Sequence, residues 1–138
     1  MTPAWRSFAE RVDYACASTF NASEAARVKA DREAARQGVP GYKRSSMGWA
    51  FMANAQGQLH REVEAMGDPP VKAGLFRRWV ENVGERASLM QRMSAAWANR
   101  NGALESQTDS QIMSLKAEAN RLGQRFGLRI CTSNGPPR

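Results

Sequence analysis

Apolar side chains recur every three or four residues in four separate segments of this chain. Such spacing places them in a stripe on one face of an α-helix, which can pack against other helices. Because Val and Ile are few and scattered, strands have little to be built from, and we predict an all-α fold. The four stripes are, in chain order, Trp5, Phe8, Val12, Ala15 and Thr19; Met47, Phe51, Ala55, Leu59, Val63 and Met66; Phe76, Trp79, Val83, Met90, Met93 and Trp97; and Ile112, Leu115, Ala119, Leu122 and Phe126.

Capping residues, prolines and glycines separate the four segments. The first helix is predicted to begin at Thr2-Pro3, the second at the Ser45-Ser46 cap, the third after Pro69-Pro70 and the fourth near Leu104, with Gly127 ending it. Residues 22–37 are mostly charged or Ala, and we expect a charged helical extension or a short extra helix there. Short links between amphipathic helices predict an up-down-up-down four-helix bundle. The prediction is a single domain over residues 1–131 and a flexible tail over 132–138.

The chain is strongly basic, with a net charge of +7 and a pI near 10.2. Residues 1–68 have 9 basic and 8 acidic side chains, whereas residues 69–138 have 11 and 5. An excess of positive charge on one half can attract nucleic acid, an anionic membrane surface or an acidic partner. Arginine-rich usage on a solvated surface is the alternative explanation. No run of apolar residues approaches the 18 or more needed to cross a membrane.

The two cysteines, Cys16 and Cys131, lie at opposite ends of the chain. In an up-down bundle the first and last helices are neighbours, but Cys16 is in the far half of its helix. The thiols can meet only if the residues after Gly127 fold back along the first helix. Two reduced, buried thiols in a cytosolic protein are the alternative. A zinc site is disfavoured, since the chain has one His and the cysteines lack ligand spacing.

The chain opens with Trp5-Arg6-Ser7-Phe8-Ala9-Glu10-Arg11-Val12-Asp13-Tyr14-Ala15-Cys16 and ends with Leu122-Gly123-x-x-Phe126-Gly127-Leu128-x-x-Cys131. Both segments resemble those of actinobacterial secreted or membrane-anchored, lipoprotein-like helical domains of unknown function. The Pro69-Pro70 pair also matches that group. The resemblance implies a Cys16–Cys131 disulfide between the first helix and the chain end, an extracytoplasmic location and no established activity. The charged segment 24–44 is longer than the group's pattern, and its role is open. The start of the chain lacks the apolar stretch of a signal peptide, which leaves two alternatives, a protein kept in the cytosol or one whose export or anchor segment precedes Met1. The cytoplasm is expected if the disulfide does not form.

No catalytic or cofactor motif is present in the sequence. A Gly-x-Ser-x-Gly elbow and a glycine-rich phosphate loop are absent, and a single His disfavours a catalytic triad. His60 and Glu64 are one helical turn apart, but a third metal ligand or orienting group is missing. We therefore predict no enzymatic activity, no catalytic residues, no cofactor and no metal.

Aromatic and methionine side chains on the second and third helices can line a pocket between helices. At helical spacing such residues more commonly form the core. They are Trp49, Trp79 and Trp97, together with Met47, Met52, Met90 and Met93.

The surface predicted to meet an anionic partner comprises Arg77, Arg78, Arg121, Arg125 and Arg129. Arginines near the end of the fourth helix also suit the helix dipole. The predicted function is a non-enzymatic extracytoplasmic helical domain, an interaction or sensing module at the cell envelope. Its expected partner is a protein or an anionic envelope component. The alternative is a cytosolic basic protein that binds nucleic acid, for which the chain offers no recognised motif.

Overall fold

The structure, a computed structural model, describes residues 2–132 and is built of four α-helices. They are α1 (Pro3–Arg36), α2 (Gly41–Ala65), α3 (Ala73–Ala98) and α4 (Gly102–Phe126). Each helix packs against the next in sequence, and the described residues contain no strand. The predicted all-α four-helix bundle is confirmed.

The start of α1 and the end of α4 follow the capping chemistry expected from the sequence. Thr2 accepts a hydrogen bond from the Trp5 amide, which satisfies one of the free N–H groups at the start of α1. Asn101 does the same for the Leu104 amide at the start of α4. Gly127 ends α4 with a φ of 94°, a left-handed conformation that glycine adopts without steric penalty.

The predicted start of the second helix is wrong by about one and a half turns. Helix α2 begins at Gly41, directly after Pro40, so Ser45 and Ser46 lie inside it. The Ser46 hydroxyl instead donates to the Ser94 backbone oxygen of α3, and the Ser94 hydroxyl donates to the Ser46 oxygen, each at 2.8 Å. Ser46 has the chemistry of a helix cap, but its hydroxyl forms a tertiary hydrogen bond between α2 and α3 instead.

The charged segment at 22–37 is an extension of α1 and not a separate helix. Because α1 is continuous over 34 residues, it is about 51 Å long at 1.5 Å per residue. Its second half packs on the first half of α2, where Asp31 and Arg44 form a two-point ion pair at 2.9 and 2.8 Å. Ser23 adds a 3.1 Å hydrogen bond to the Phe51 backbone oxygen.

The core has two clusters. An aromatic cluster joins the start of α1 to α3 and the end of α4, with ring centroids 4.2 Å apart for Trp5 and Phe126 and 5.0 Å for Phe8 and Phe76. A smaller cluster at the other end of the bundle contains Ala53, Met90, Met93 and Ile112, with Trp49 against it. The predicted apolar stripes therefore mostly form the core.

One side of the bundle is open. Helix α1 packs along α2, but its backbone makes few close approaches to α4. The segment after Gly127 turns back into part of this gap, as the sequence analysis required if the cysteines were to meet. Cys16 and Cys131 form a disulfide with Cα atoms 5.7 Å apart. Of the predicted tail, Thr132 is described and donates to the Leu128 and Arg129 oxygens; residues 133–138 lie outside the described residues.

Candidate functional site

The returning segment is held at three consecutive backbone amides by one carboxylate. Asp13 accepts hydrogen bonds from the N–H groups of Arg129, Ile130 and Cys131 at distances of 2.9–3.2 Å. A row of backbone N–H groups converging on an oxygen anion is a favourable anion site. Asp13 is 9% exposed, so these bonds lie away from most of the solvent. The disulfide and this clip together fix the chain end on α1.

A cavity of about 390 Å³ lies where α1 and α4 separate, beyond the returning segment. Its volume is within the range of about 300–1,000 Å³ that ligand pockets have. All four helices contribute to it, and Ile130 and Cys131 form part of its wall. The lining includes residues from both core clusters, so the cavity lies between them. The apolar part of the wall contains Phe20, Trp49, Met52, Ala55, Leu59, Trp79, Met90, Ile112 and Met113.

Arg86 of α3 is a charged residue in this mostly apolar wall. It is half-buried, and burial lowers the pKa of its guanidinium to about 10, so it remains protonated at neutral pH. Its Nε donates to the Asn82 Oδ1 at 2.8 Å. Among residues 2–132, Arg86 forms no ion pair with a carboxylate.

Asn82 fixes the direction of Arg86. It is fully buried and its Nδ2 donates to the Leu115 backbone oxygen at 2.8 Å and to Glu118 at 3.1 Å. With its amide nitrogen used by α4, its oxygen is the atom left to accept from Arg86. The arginine is therefore anchored at Nε, while its terminal nitrogens have no hydrogen-bond partner within the described part of the chain.

Two further polar residues of the wall are incompletely hydrogen-bonded. Gln56 and Trp79 are each 1% exposed, and neither Gln56 Oε1 nor Trp79 Nε1 has a partner among the described residues. Gln56 Nε2 makes a long, 3.5 Å bond to the Val83 oxygen. Most buried polar atoms in proteins are paired, so this wall has more hydrogen-bonding capacity than the fold itself uses.

The other charged residues of the lining differ from Arg86. Arg27 and Glu24 form a two-point ion pair at 2.9 and 2.7 Å on α1. Asp109 is exposed, and Lys116 is half-buried without an ion-pair partner in residues 2–132. Three basic and two acidic side chains line the cavity, so its charge is slightly positive.

No family model, curated protein or solved structure matches this chain. The cavity, the disulfide and the charges around them are therefore the observations from which a function can be inferred.

The predicted anionic-partner surface is divided by its ion pairs. Arg78 contacts three carboxylates, those of Glu81, Glu85 and Glu118, and Arg77 lies 3.4 Å from Asp68. In contrast, Arg121, Arg125 and Arg129 are exposed, and their side chains form no ion pair within residues 2–132. The part of the predicted surface with uncompensated charge is thus on α4 and the returning segment.

The remaining predicted features divide between the core and the cavity. Trp49, Trp79, Met52 and Met90 line the cavity, whereas Met47, Met93 and Trp97 do not.

His60 lies 3.7 Å from Glu64 and packs against α3, where a Cβ on Gly84 would be 2.9 Å from its Nε2. In the described residues, no three His, Cys, Asp or Glu side chains are grouped to hold a metal. None of the described helices is long and apolar enough to cross a membrane.

Arg86 was not among the residues that the sequence analysis selected, although its position held a signal. It lies three residues after Val83 and four before Met90, so a charge interrupts the apolar stripe of α3. Gln56 lies beside the stripe of α2, three residues before Leu59, and does not interrupt it. A charged residue at a stripe position, rather than a pair of catalytic groups, was the signal for this site.

Replacing Arg86 by Met is expected to change the free energy of unfolding by less than about 2 kcal/mol. Because burial lowers the pKa of Arg86, its charged form, which predominates at neutral pH, is less stable in the folded chain than in the unfolded one, and removing the charge relieves roughly 2–3 kcal/mol. Losing the donor to Asn82 costs about 1–3 kcal/mol in the opposite direction. Urea denaturation of both proteins measures the difference. A loss above about 3 kcal/mol, typical of a broken buried ion pair, would show that Arg86 is structural.

Proposed function

We propose that this chain is a non-enzymatic, extracytoplasmic domain that binds a small molecule in the interhelical cavity. The observation that carries the proposal is the cavity itself, which is lined by twelve apolar or cysteine residues and eight polar ones, five of them charged. Binding sites for small molecules combine an apolar surface with polar groups that fix the orientation of the ligand. A sensing or interaction module at the cell envelope would use such a site to detect or hold its ligand.

The location outside the cytoplasm is supported by the way in which the chain end is attached. Disulfides persist in oxidising compartments and are rare where cytosolic reductants act. Here the bond joins residues 115 apart in sequence and completes part of the cavity wall. A binding site that depends on a disulfide suits a protein that works in an oxidising environment. The similarity of both chain ends to secreted helical domains supports the same compartment.

The proposal is tested with a neutral fluorescent dye, N-phenylnaphthylamine, which brightens in apolar surroundings. The oxidised protein is expected to give a saturable rise in fluorescence with a stoichiometry of about one dye per chain, since the cavity is comparable to a single ligand in size. Ala55→Leu, which extends a buried cavity residue into the free volume, is expected to weaken dye binding by about tenfold.

Ala117→Leu is the matched control, because Ala117 is exposed on α4 and does not line the cavity. It adds the same side chain and should leave dye affinity unchanged. Dye binding that is absent in the native protein, or that is equally weakened in both variants, would contradict the proposal.

A further inference from the structure

Two arginines of α3 differ in their ion-pair partners, and the difference indicates which class of ligand the cavity binds. Arg78 lies at the surface of α3 and is neutralised by three carboxylates from α3 and α4. Arg86, two turns further along the same helix, lies in a poorly solvated wall and has only the neutral Asn82 as a partner. A charge taken out of water without a counter-ion is unfavourable. The solvated Arg78 thus has three carboxylate partners, whereas the poorly solvated Arg86 has none in the described residues.

The carboxylates that line the cavity do not serve as this counter-ion. Glu24 forms a two-point ion pair with Arg27, and Asp109 is exposed. Burial, with no contribution from a carboxylate, accounts for the lowered pKa of Arg86. Lys116 and Asp109, also in the lining, have no ion-pair partner in the described residues and are opposite in charge. With Arg86, the charges of the lining that have no ion-pair partner sum to one positive charge.

We infer that the cavity binds a single-chain amphipathic anion, a medium-chain carboxylate, whose head group pairs with Arg86. The inference rests on the proposed function and names its ligand class. The guanidinium, anchored through Nε to Asn82, presents its terminal nitrogens in the planar fork that matches a carboxylate. The chain of the ligand lies against Leu59, Trp79 and Ile112 of the apolar wall.

The size of the cavity suits a single-chain ligand. Its volume of about 390 Å³ lies at the lower end of the range of about 300–1,000 Å³ that ligand pockets have. A carboxylate with a chain of about ten carbons has far fewer non-hydrogen atoms than a two-chain phospholipid. The volume therefore favours a free single-chain acid over an intact membrane lipid.

Three probes that share a chain of ten carbons separate the role of the head group from that of the chain. Decanoate, decanol and decyltrimethylammonium displace the neutral dye from the oxidised full chain, all below their micelle-forming concentrations. Decanoate is expected to bind at least about tenfold more tightly than either of the others, as a charge-assisted pair of hydrogen bonds provides. Equal affinities for the three probes would overturn the inference and leave the proposed function intact. Failure of the dye and all three probes to bind would overturn both.

Variants assign the preference to Arg86. Arg86→Met is expected to lower decanoate affinity by at least about tenfold and to leave decanol affinity within about threefold. Arg92→Met is the matched control, since Arg92 is an exposed arginine of the same helix outside the cavity. It removes the same charge and should change neither affinity. If both variants lose decanoate equally, general charge rather than Arg86 is responsible, and the inference fails.

If Arg86→Met does not fold, the inference can still be tested on the native protein and on a variant that keeps the positive charge at residue 86. Decanoate labelled with carbon-13 at its carboxyl reports the pKa of the bound head group by NMR. Beside the guanidinium, that pKa is expected to lie below the value of the free acid. In Arg86→Lys, which keeps the charge but not the planar fork, decanoate should bind with an affinity between those of the native protein and Arg86→Met. A bound carboxyl that titrates at or above the free value would overturn the inference.

Discussion

Reduction of the Cys16–Cys131 disulfide is expected to lower the free energy of unfolding by about 4–5 kcal/mol. The bond closes a loop of 115 residues, and in the chain-entropy model a longer loop gives a larger restriction of the unfolded chain. Domains of this size have net stabilities of about 5–15 kcal/mol, so the loss is a large fraction of the total. The midpoint of thermal unfolding should fall by roughly 15 °C.

Urea denaturation followed by circular dichroism, with and without a reductant, measures this loss. The control is a Cys16→Ala/Cys131→Ala variant, which should match the reduced native protein and should not respond to reductant. Thiol titration of the unreduced protein in denaturant provides an independent check. Two reactive thiols there, or an unfolding midpoint that reductant does not change, would contradict the bond and would remove the main support for an extracytoplasmic location.

Loss of the disulfide should also affect the cavity. Ile130 and Cys131 form part of its wall, and reduction lets the returning segment move away from α1. Dye affinity is therefore expected to fall in the reduced protein under conditions where the helices remain folded. Such a fall would connect the proposed compartment with the proposed site, because binding would then require the oxidised form.

The four helices could be predicted from the sequence because the signals for them are local. A stripe with three- and four-residue spacing, a capping residue such as Thr2 and a terminal glycine such as Gly127 act within a few residues of one another. The start of α2 was misplaced for the same reason. Ser46 has the chemistry of a cap, and only its neighbour Ser94, 48 residues away, shows that its hydroxyl has a different use.

The cavity could not be predicted, because it depends on where two helices separate. The apolar stripe of α1 ends at Thr19 and that of α4 begins at Ile112, but nothing local shows how far apart the two helices then lie. Trp49 and Trp79 were recognised as candidates for either a pocket or the core, and at helical spacing these roles have the same pattern. The charge at Arg86, inside a stripe, was the local sign that one wall of the core is not closed.

The attachment of the chain end to α1 shows a third limit to what could be predicted from the sequence. The sequence indicated that residues 127–131 must fold back if the cysteines are to meet, and the structure confirms it. Asp13 lies in the opening segment Trp5–Cys16, and nothing local distinguishes it from a solvated acid on a helix. Its function depends on three amides that are more than 115 residues away.

Replacing Asp13 by Ala is expected to cost about 2–4 kcal/mol with the disulfide intact. The substitution leaves the backbone amides of Arg129, Ile130 and Cys131 without their acceptor, and each buried donor left unpaired costs about 1–3 kcal/mol unless water reaches it. Asp13→Asn retains one acceptor oxygen but turns an N–H donor toward the same amides, so it should fall between Ala and the native residue. Glu10→Ala removes an exposed carboxylate from the same helix and should cost less than about 0.5 kcal/mol.

Amide hydrogen exchange locates the effect of Asp13 within the molecule. In Asp13→Ala, the amides of residues 129–131 should exchange much faster, while those in the middle of α2 and α3 should change only by the global loss of stability. The cost should also be smaller in the Cys16→Ala/Cys131→Ala background, because a chain end that is free to leave α1 can hydrate its amides. If the two effects add without coupling, or if exchange at 129–131 does not change, the carboxylate does not hold the chain end, and the disulfide alone maintains that wall of the cavity.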